Sequence, residues 1–182
     1  MNVLQPQILL IDDFLANHQQ FYTTLRTTVN WDTRMAARQT ASFGEPYQYS
    51  QMTYPATVMH PSLLPVADAL QTKLKIRFNN CLLNFYPFGE STMGFHSDDT
   101  TQLQPGTGVA IVSLGHAREI TYRAKADKTV QHSFLLIPGS LLYMDSAVQA
   151  DWLHAIRKQP GAGPRISLTW RALKRLTTPV KC

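Results

Sequence analysis

The segment Phe95-His96-Ser97-Asp98 sets an imidazole and a carboxylate two residues apart. In an extended stretch, residues i and i+2 face the same side, so the pair can offer one nitrogen and one oxygen to a single metal ion. Two histidines and one carboxylate on one face of an ion suit non-haem iron(II), because the other positions stay open for a cosubstrate and for oxygen. A second histidine is at hand in Asp151-Trp152-Leu153-His154-Ala155-Ile156. A lone histidine in an apolar strand is more often a satisfied core residue, however, and chance alone yields about 0.3 His-x-Asp tripeptides in a chain of this composition.

Two further patterns bear on the same chemistry. Arg165-Ile166-Ser167-Leu168-Thr169-Trp170-Arg171 alternates polar and apolar residues without a break, the mark of a strand with one face in the core. Its other face carries two guanidiniums and two hydroxyls. A guanidinium is a planar fork that matches a carboxylate, although a half-exposed strand with solvated arginines would give the same pattern. In Asn84-Phe85-Tyr86 the two polar side chains again share a face, where they can hydrogen-bond a carboxylate or satisfy a core.

The elements that must position these residues divide the chain in two. Before residue 76 the reading is mixed. Ile8–Ile11 is a short strand, and residues 15–28 form a helix with Phe21, Leu25 and Val29 near one face. Residues 34–54 form loops or short hairpins. A second helix, capped by Ser62, carries Leu64, Ala67, Leu70 and Leu74. After residue 76, short apolar stretches recur at 80–87, 109–115, 118–124, 132–137, 140–145, 151–156 and 165–173. Turns such as Pro87-Phe88-Gly89, Pro105-Gly106 and Pro138-Gly139 separate them. That rhythm predicts an α+β protein, two N-terminal helices on a β-sandwich or jelly roll.

With 182 residues, one domain is expected, large enough to fold without a staple, so any metal site is functional rather than structural. Cys81 and Cys182 make neither a disulfide framework nor a zinc pattern. The N-terminus lacks the features of a signal peptide and no apolar run reaches a membrane span, so the expected location is the cytoplasm, with no membrane partner. The net charge of +5 is compatible with a polyanionic partner.

In this order, His-x-Asp, a distant His and Arg-x5-Arg, the chain resembles the AlkB-like Fe(II)/2-oxoglutarate dioxygenases from about Arg34 to Leu173. Cys81–Tyr86 resembles the family's Asn-x-Tyr strand and Val109–Gly115 its Val-Ser-Leu-Gly strand. Pro138–Leu142 resembles the turn before the distal histidine, and Arg165–Arg171 its final signature. Arg38–Gly44 and Tyr47–Ser50 resemble its nucleotide-recognition lid. The resemblance implies a double-stranded β-helix (jelly roll) over about 76–173 and a lid over about 34–60, in a single domain spanning 1–182. Iron(II) would be held by His96, Asp98 and His154. 2-Oxoglutarate would be held by Asn84, Tyr86, Arg165 and Arg171, with Arg165 on the distal carboxylate and Arg171 near Asp98. Tyr49 and His96 would sandwich a flipped base, Arg38 and Tyr47 would contact the substrate backbone, and Asp99 would be a further substrate contact.

The activity implied is oxidative demethylation of N-alkylated bases in DNA or RNA, using O2 and releasing formaldehyde, succinate and carbon dioxide. The expected enzyme is a monomer that prefers single strands. The chain departs from the family at Thr100, where an acid that accepts from a base's exocyclic amine is usual, and at Ser167, which replaces Asn. The loops around 29–34 and 124–131 are short. These departures keep open a hydroxylase of a small metabolite or a protein side chain on the same scaffold.

Overall fold

The computed structural model describes residues 5–49 and 52–174. Twelve strands and three α-helices follow in the order β1 (Leu9–Ile11), α1 (His18–Thr28), β2 (Gln39–Gly44), β3 (Tyr47–Tyr49), β4 (Met52–Tyr54), α2 (Leu64–Leu74), β5 (Asn80–Tyr86), β6 (Met93–His96), β7 (Val109–Gly115), β8 (Arg118–Ala124), β9 (Gln131–Leu136), β10 (Leu141–Met144), α3 (Ser146–Asp151), β11 (Trp152–Ile156) and β12 (Arg165–Arg171). All strand pairs are antiparallel. A six-stranded sheet runs β1-β10-β7-β12-β5-β2, a four-stranded sheet runs β6-β11-β8-β9, and β3-β4 is a separate hairpin. From β5 to β12 the chain winds between the two sheets as a double-stranded β-helix, and β1 and β2 extend the larger sheet at its edges.

The alternation along β12 decides which face does what. Ile166, Leu168 and Trp170 are fully buried in one core, on the outer face of the larger sheet. Tyr22 and Leu25 of α1 and Val66 and Leu70 of α2 cover that face. A second core between the two sheets holds Leu82, Ile111, Ile120, Tyr122, Met144, Trp152 and Ile156. The polar positions of β12 point into this second core.

Several local details differ from the sequence expectations. Residues 34–54 hold more than loops, because β2 pairs with β5 from Gln39↔Phe85 to Gly44↔Asn80 and so completes the larger sheet. At Gly44, φ is +90° and a Cβ would sit 2.0 Å from the Asn79 carbonyl oxygen, so only glycine lets the chain turn here into the hairpin. Ser62 does not cap the second helix. A 3-10 turn, Pro61–Leu63, precedes α2, and the ring of His60 accepts from the Ser62 N–H at 3.2 Å. The extra turn shifts the buried face to Leu63, Val66 and Leu70 and leaves Leu64 half exposed. The segment before β11 begins as α3, capped by the Asp145 carboxylate on the Val148 N–H. Among the described residues no helix is long and apolar enough to cross a membrane.

Leu168 lies on the central strand of the larger sheet, flanked by β5 and β7, with no exposed surface. Leu168→Ala removes buried methyl groups where helices and sheet cannot fully close the gap. It should lower stability by about 2–5 kcal/mol, read as a lower urea midpoint with an unchanged slope.

Candidate active site

Inner-facing side chains of both sheets surround one cavity, lined by Asn84, Tyr86, His96, Asp98, His154, Arg165, Ser167, Thr169 and Arg171 among apolar neighbours. His96 ends β6 and pairs in register with His154 on β11, which brings the two rings to 4.3 Å between centroids. Asp98 lies just past the end of β6. Its Oδ2 is 3.7 Å from His154 Nε2, and the three potential ligand atoms fall within 4.8 Å of one another. The same-side geometry predicted from the i, i+2 spacing is therefore realised, and the distant histidine joins it through a strand pairing that no local pattern could announce.

The protonation states suit a cation. His96 Nδ1 is 2.9 Å from the Gly94 carbonyl oxygen, which can only accept. Nδ1 therefore carries a proton, and Nε2 is the nitrogen that faces the other two ligands. Burial pushes His154 down to about 4, so its imidazole is neutral at pH 7. Burial works against the charge of Asp98, but Arg171 and then the two histidines outweigh it and hold the carboxyl at about 2. Arg171 Nη2 donates to Asp98 Oδ1 at 2.6 Å, with both side chains almost fully buried. Two imidazoles and one ionised carboxylate converging on a point fit a divalent iron ion.

The far end of the cavity fits an anion. Arg165 is 1 % exposed, and its Nη2 donates to Ser113 Oγ at 3.0 Å. Its Nε and Nη1 meet no hydrogen-bond acceptor. Burial pushes this guanidinium down to about 10, still cationic at neutral pH. The ring of Tyr86 lies 5.4 Å from the guanidinium carbon of Arg165 and 5.8 Å from that of Arg118. A buried cation with unmatched donors beside a metal-ligand cluster is a fit for a dicarboxylate that reaches from one to the other.

The remaining expected residues differ in their surroundings. Asn84 lines the cavity, with its Oδ1 accepting from Arg38 Nε at 2.9 Å. Arg38 and Tyr47 are buried rather than displayed on an outer surface. Arg38 also donates to the Thr92 carbonyl, and the Tyr47 ring lies 4.4 Å from the Arg171 guanidinium carbon. Asp99 lies away from the metal-ligand cluster. Its side chain is exposed, outside the cavity, and its carboxylate accepts from the Thr101 N–H and hydroxyl and from Gln102 Nε2, closing a local turn. The backbone of Tyr49 belongs to β3, but its side chain lies outside the described residues, as does Ser50.

Arg118 was not foreseen. It is fully buried on β8 and ties the carbonyls of Phe88, Ser91 and Arg157 together beneath Tyr86. Ser113 was anticipated only as part of an apolar strand. Its hydroxyl faces inward because β12 holds it directly opposite Ser167.

Comparison with known proteins bears on this site. The pattern of the 2OG-Fe(II) oxygenase superfamily matches residues 7–171. The chain is 32 % identical over 160 residues to alpha-ketoglutarate-dependent dioxygenase alkB homolog 3 of Bos taurus, covering 81 % of this chain and 56 % of that protein. It is 34 % identical over 148 residues to DNA oxidative demethylase ALKBH2 of Mus musculus, covering 75 % and 62 %. The chain thus spans little more than half the length of the curated relatives it matches. The solved structure of OsALKBH1 shares the fold, with a TM-score of 0.67 at 19 % identity over 92 % of this chain and 98 % of that one.

The buried neutral imidazole of His154 makes a pH prediction for the metal-free protein. An unfolded chain protonates this histidine near 6.5, whereas the folded chain does so only near 4. Between those values the unfolded state binds the extra proton, so stability falls as pH is lowered through the window. The loss should be on the order of 3 kcal/mol, seen as a drop in the urea midpoint between pH 7 and pH 4. His154→Leu should flatten that dependence.

Proposed function

The chain belongs to the 2OG-Fe(II) oxygenase superfamily, and on that basis we propose that it is an iron(II)- and 2-oxoglutarate-dependent dioxygenase that demethylates N-alkylated bases in nucleic acid. The observation that carries the dioxygenase reading is a single cavity with His96, Asp98 and His154 at one end and the unmatched donors of Arg165 at the other. The nucleic-acid reading rests on likeness to relatives named as alkB homologues and as a DNA oxidative demethylase.

In this reading His96, Asp98 and His154 hold the iron. Arg165 takes the distal carboxylate of 2-oxoglutarate, with Ser113 fixing the fork and Tyr86 shaping the end of the pocket. Bound iron with 2-oxoglutarate and oxygen supplies the oxidation of an N-methyl C–H bond, with succinate and carbon dioxide as coproducts; the hydroxylated methyl then leaves as formaldehyde. The protein's own part is positioning and exclusion. Arg171 keeps Asp98 ionised in a water-poor interior, and Leu82, Ile111, Ile120, Leu136 and Ile156 line the wall with apolar surface. The β3–β4 hairpin serves as the lid over this domain, and Tyr49, by its place in Tyr47-Gln48-Tyr49, is the residue for stacking on an extruded base.

A duplex base must leave its stack to reach such a cavity, at a cost of roughly a few kcal/mol that a single strand avoids. The β8–β9 connection is a tight turn in which Asp127 accepts from Thr129, too short to probe a duplex. Single strands are therefore the favoured substrate. Thr100 in place of an acid supports the second reading, a hydroxylase of a small metabolite or a protein side chain.

Asp98→Ala should abolish 2-oxoglutarate-to-succinate conversion in a chain that still folds. Arg165→Ala should weaken 2-oxoglutarate binding by two orders of magnitude or more, because the other half of a shielded ion pair is typically worth about 3–5 kcal/mol. Arg165→Lys should restore only part of it. Calorimetric affinity unchanged in Arg165→Ala would remove this residue from the site.

Formaldehyde should be released from oligonucleotides carrying 1-methyladenine or 3-methylcytosine, faster from single strands than from duplexes. Succinate formation without formaldehyde from any of them would shift the assignment to the hydroxylase.

A further inference from the structure

Gln149, in the short helix α3, is 3 % exposed and is aimed at Asp98. Its Oε1 accepts from the backbone N–H of Asp98 at 2.9 Å, and its Nε2 donates to the Asp98 carboxylate Oδ2 at 3.2 Å. A backbone N–H can only donate and a carboxylate can only accept, so these two partners fix which end of the amide is oxygen and which is nitrogen. The clasp needs one acceptor and one donor at the tip of a three-carbon stem, which glutamine supplies. Glutamate would press an anionic oxygen against Oδ2, and methionine would remove the amide partners of the Asp98 N–H and Oδ2 while leaving Arg171 on Oδ1.

The support under Gln149 is itself fixed. Lys125 Nζ donates to the Gln149 carbonyl at 2.7 Å, the Lys125 N–H donates to the Asp151 carbonyl, and Asp145 caps the helix start. α3 runs straight into β11, where His154 follows five residues later. On the other side of the carboxylate, Arg171 from β12 holds Oδ1. The two oxygens of Asp98 are therefore gripped by donors from different elements, which leaves Oδ2 turned toward His154.

We propose that Gln149 is a positioning residue of the metal centre, setting the rotation of the Asp98 carboxylate so that Oδ2 presents its remaining lone pair to an ion between the three ligands. This rests on the reading of Asp98 as a metal ligand. Partners of this kind behind a ligand typically change metal affinity by roughly 10–100-fold when removed.

The test is titration of metal-free protein with Mn(II) by calorimetry and with Co(II) by visible absorption. Wild-type protein that binds neither ion refutes the triad itself and with it this role. Given wild-type binding, Gln149→Met should bind Mn(II) roughly 10–100-fold more weakly, with displaced Co(II) bands and a metal-free melting temperature close to wild type. Unchanged affinity and bands in Gln149→Met would overturn the proposal. If Gln149→Met does not fold, the wild-type protein decides: the side-chain amide resonance of Gln149 should shift on saturation with diamagnetic Zn(II), and an unmoved resonance would overturn it.

Discussion

Arg171 Nη2 lies 2.6 Å from Asp98 Oδ1 inside a sandwich of two sheets, with both side chains nearly cut off from water. Neither charge tolerates that position alone. Deleting one member of such a pair strands the other, typically at about 3–5 kcal/mol. The pair also joins two elements that no hydrogen-bonded ladder connects, since Arg171 ends β12 of the larger sheet and Asp98 follows β6 of the smaller. The ion pair thus fixes the spacing of the sheets where the ligands must converge. It also keeps Asp98 ionised against its own burial.

The rest of the interior is arranged to make such polarity tolerable. Thr40, Asn84, Ser167 and Ser113 stand directly opposite one another across four adjacent strands, so a polar belt crosses the inner face of the larger sheet. Arg38 bonds Asn84 within that belt and Tyr54 bonds Thr40 at its edge. The two arginines of β12 are not equivalent. Arg171 has an anionic partner in the fold, whereas Arg165 meets the neutral Ser113 hydroxyl and the ring of Tyr86. A buried cation in that condition is stable only at some expense. That difference separates the charge-balanced end of the cavity from the end whose cation has no anionic partner in the fold.

Much of this was legible in the sequence because β-strands have period two. The alternation of Arg165–Arg171 gave its burial pattern, and the i, i+2 spacing gave the shared face of His96 and Asp98. What stayed hidden depends on partners distant in sequence. β2, Gln39–Gly44, is polar and short by composition, and becomes a strand because the edge of β5 offers it a ladder. Gln149 carries no signal in the sequence until Asp98, 51 positions earlier, is placed against it. Asp99 reads as a second acid beside a metal ligand, but its Oδ1 accepts from Thr101 and its Oδ2 from Gln102. The cap at His60 was invisible because an imidazole acceptor is a rarer device than the serine two residues later.

The hairpin β3–β4 is bound into the same electrostatics. Tyr47 is almost fully buried, with its ring 4.4 Å from the Arg171 guanidinium carbon. A ring in that position attracts the cation and also excludes water from it. Shielding from water strengthens the hold of Arg171 on Asp98, since the same charges interact more strongly at low dielectric. At its other strand, Tyr54 is tied to Thr40 on the wall of the larger sheet at 2.6 Å. The hairpin therefore cannot lift at the Tyr47 end without admitting water to the ion pair that orients a metal ligand.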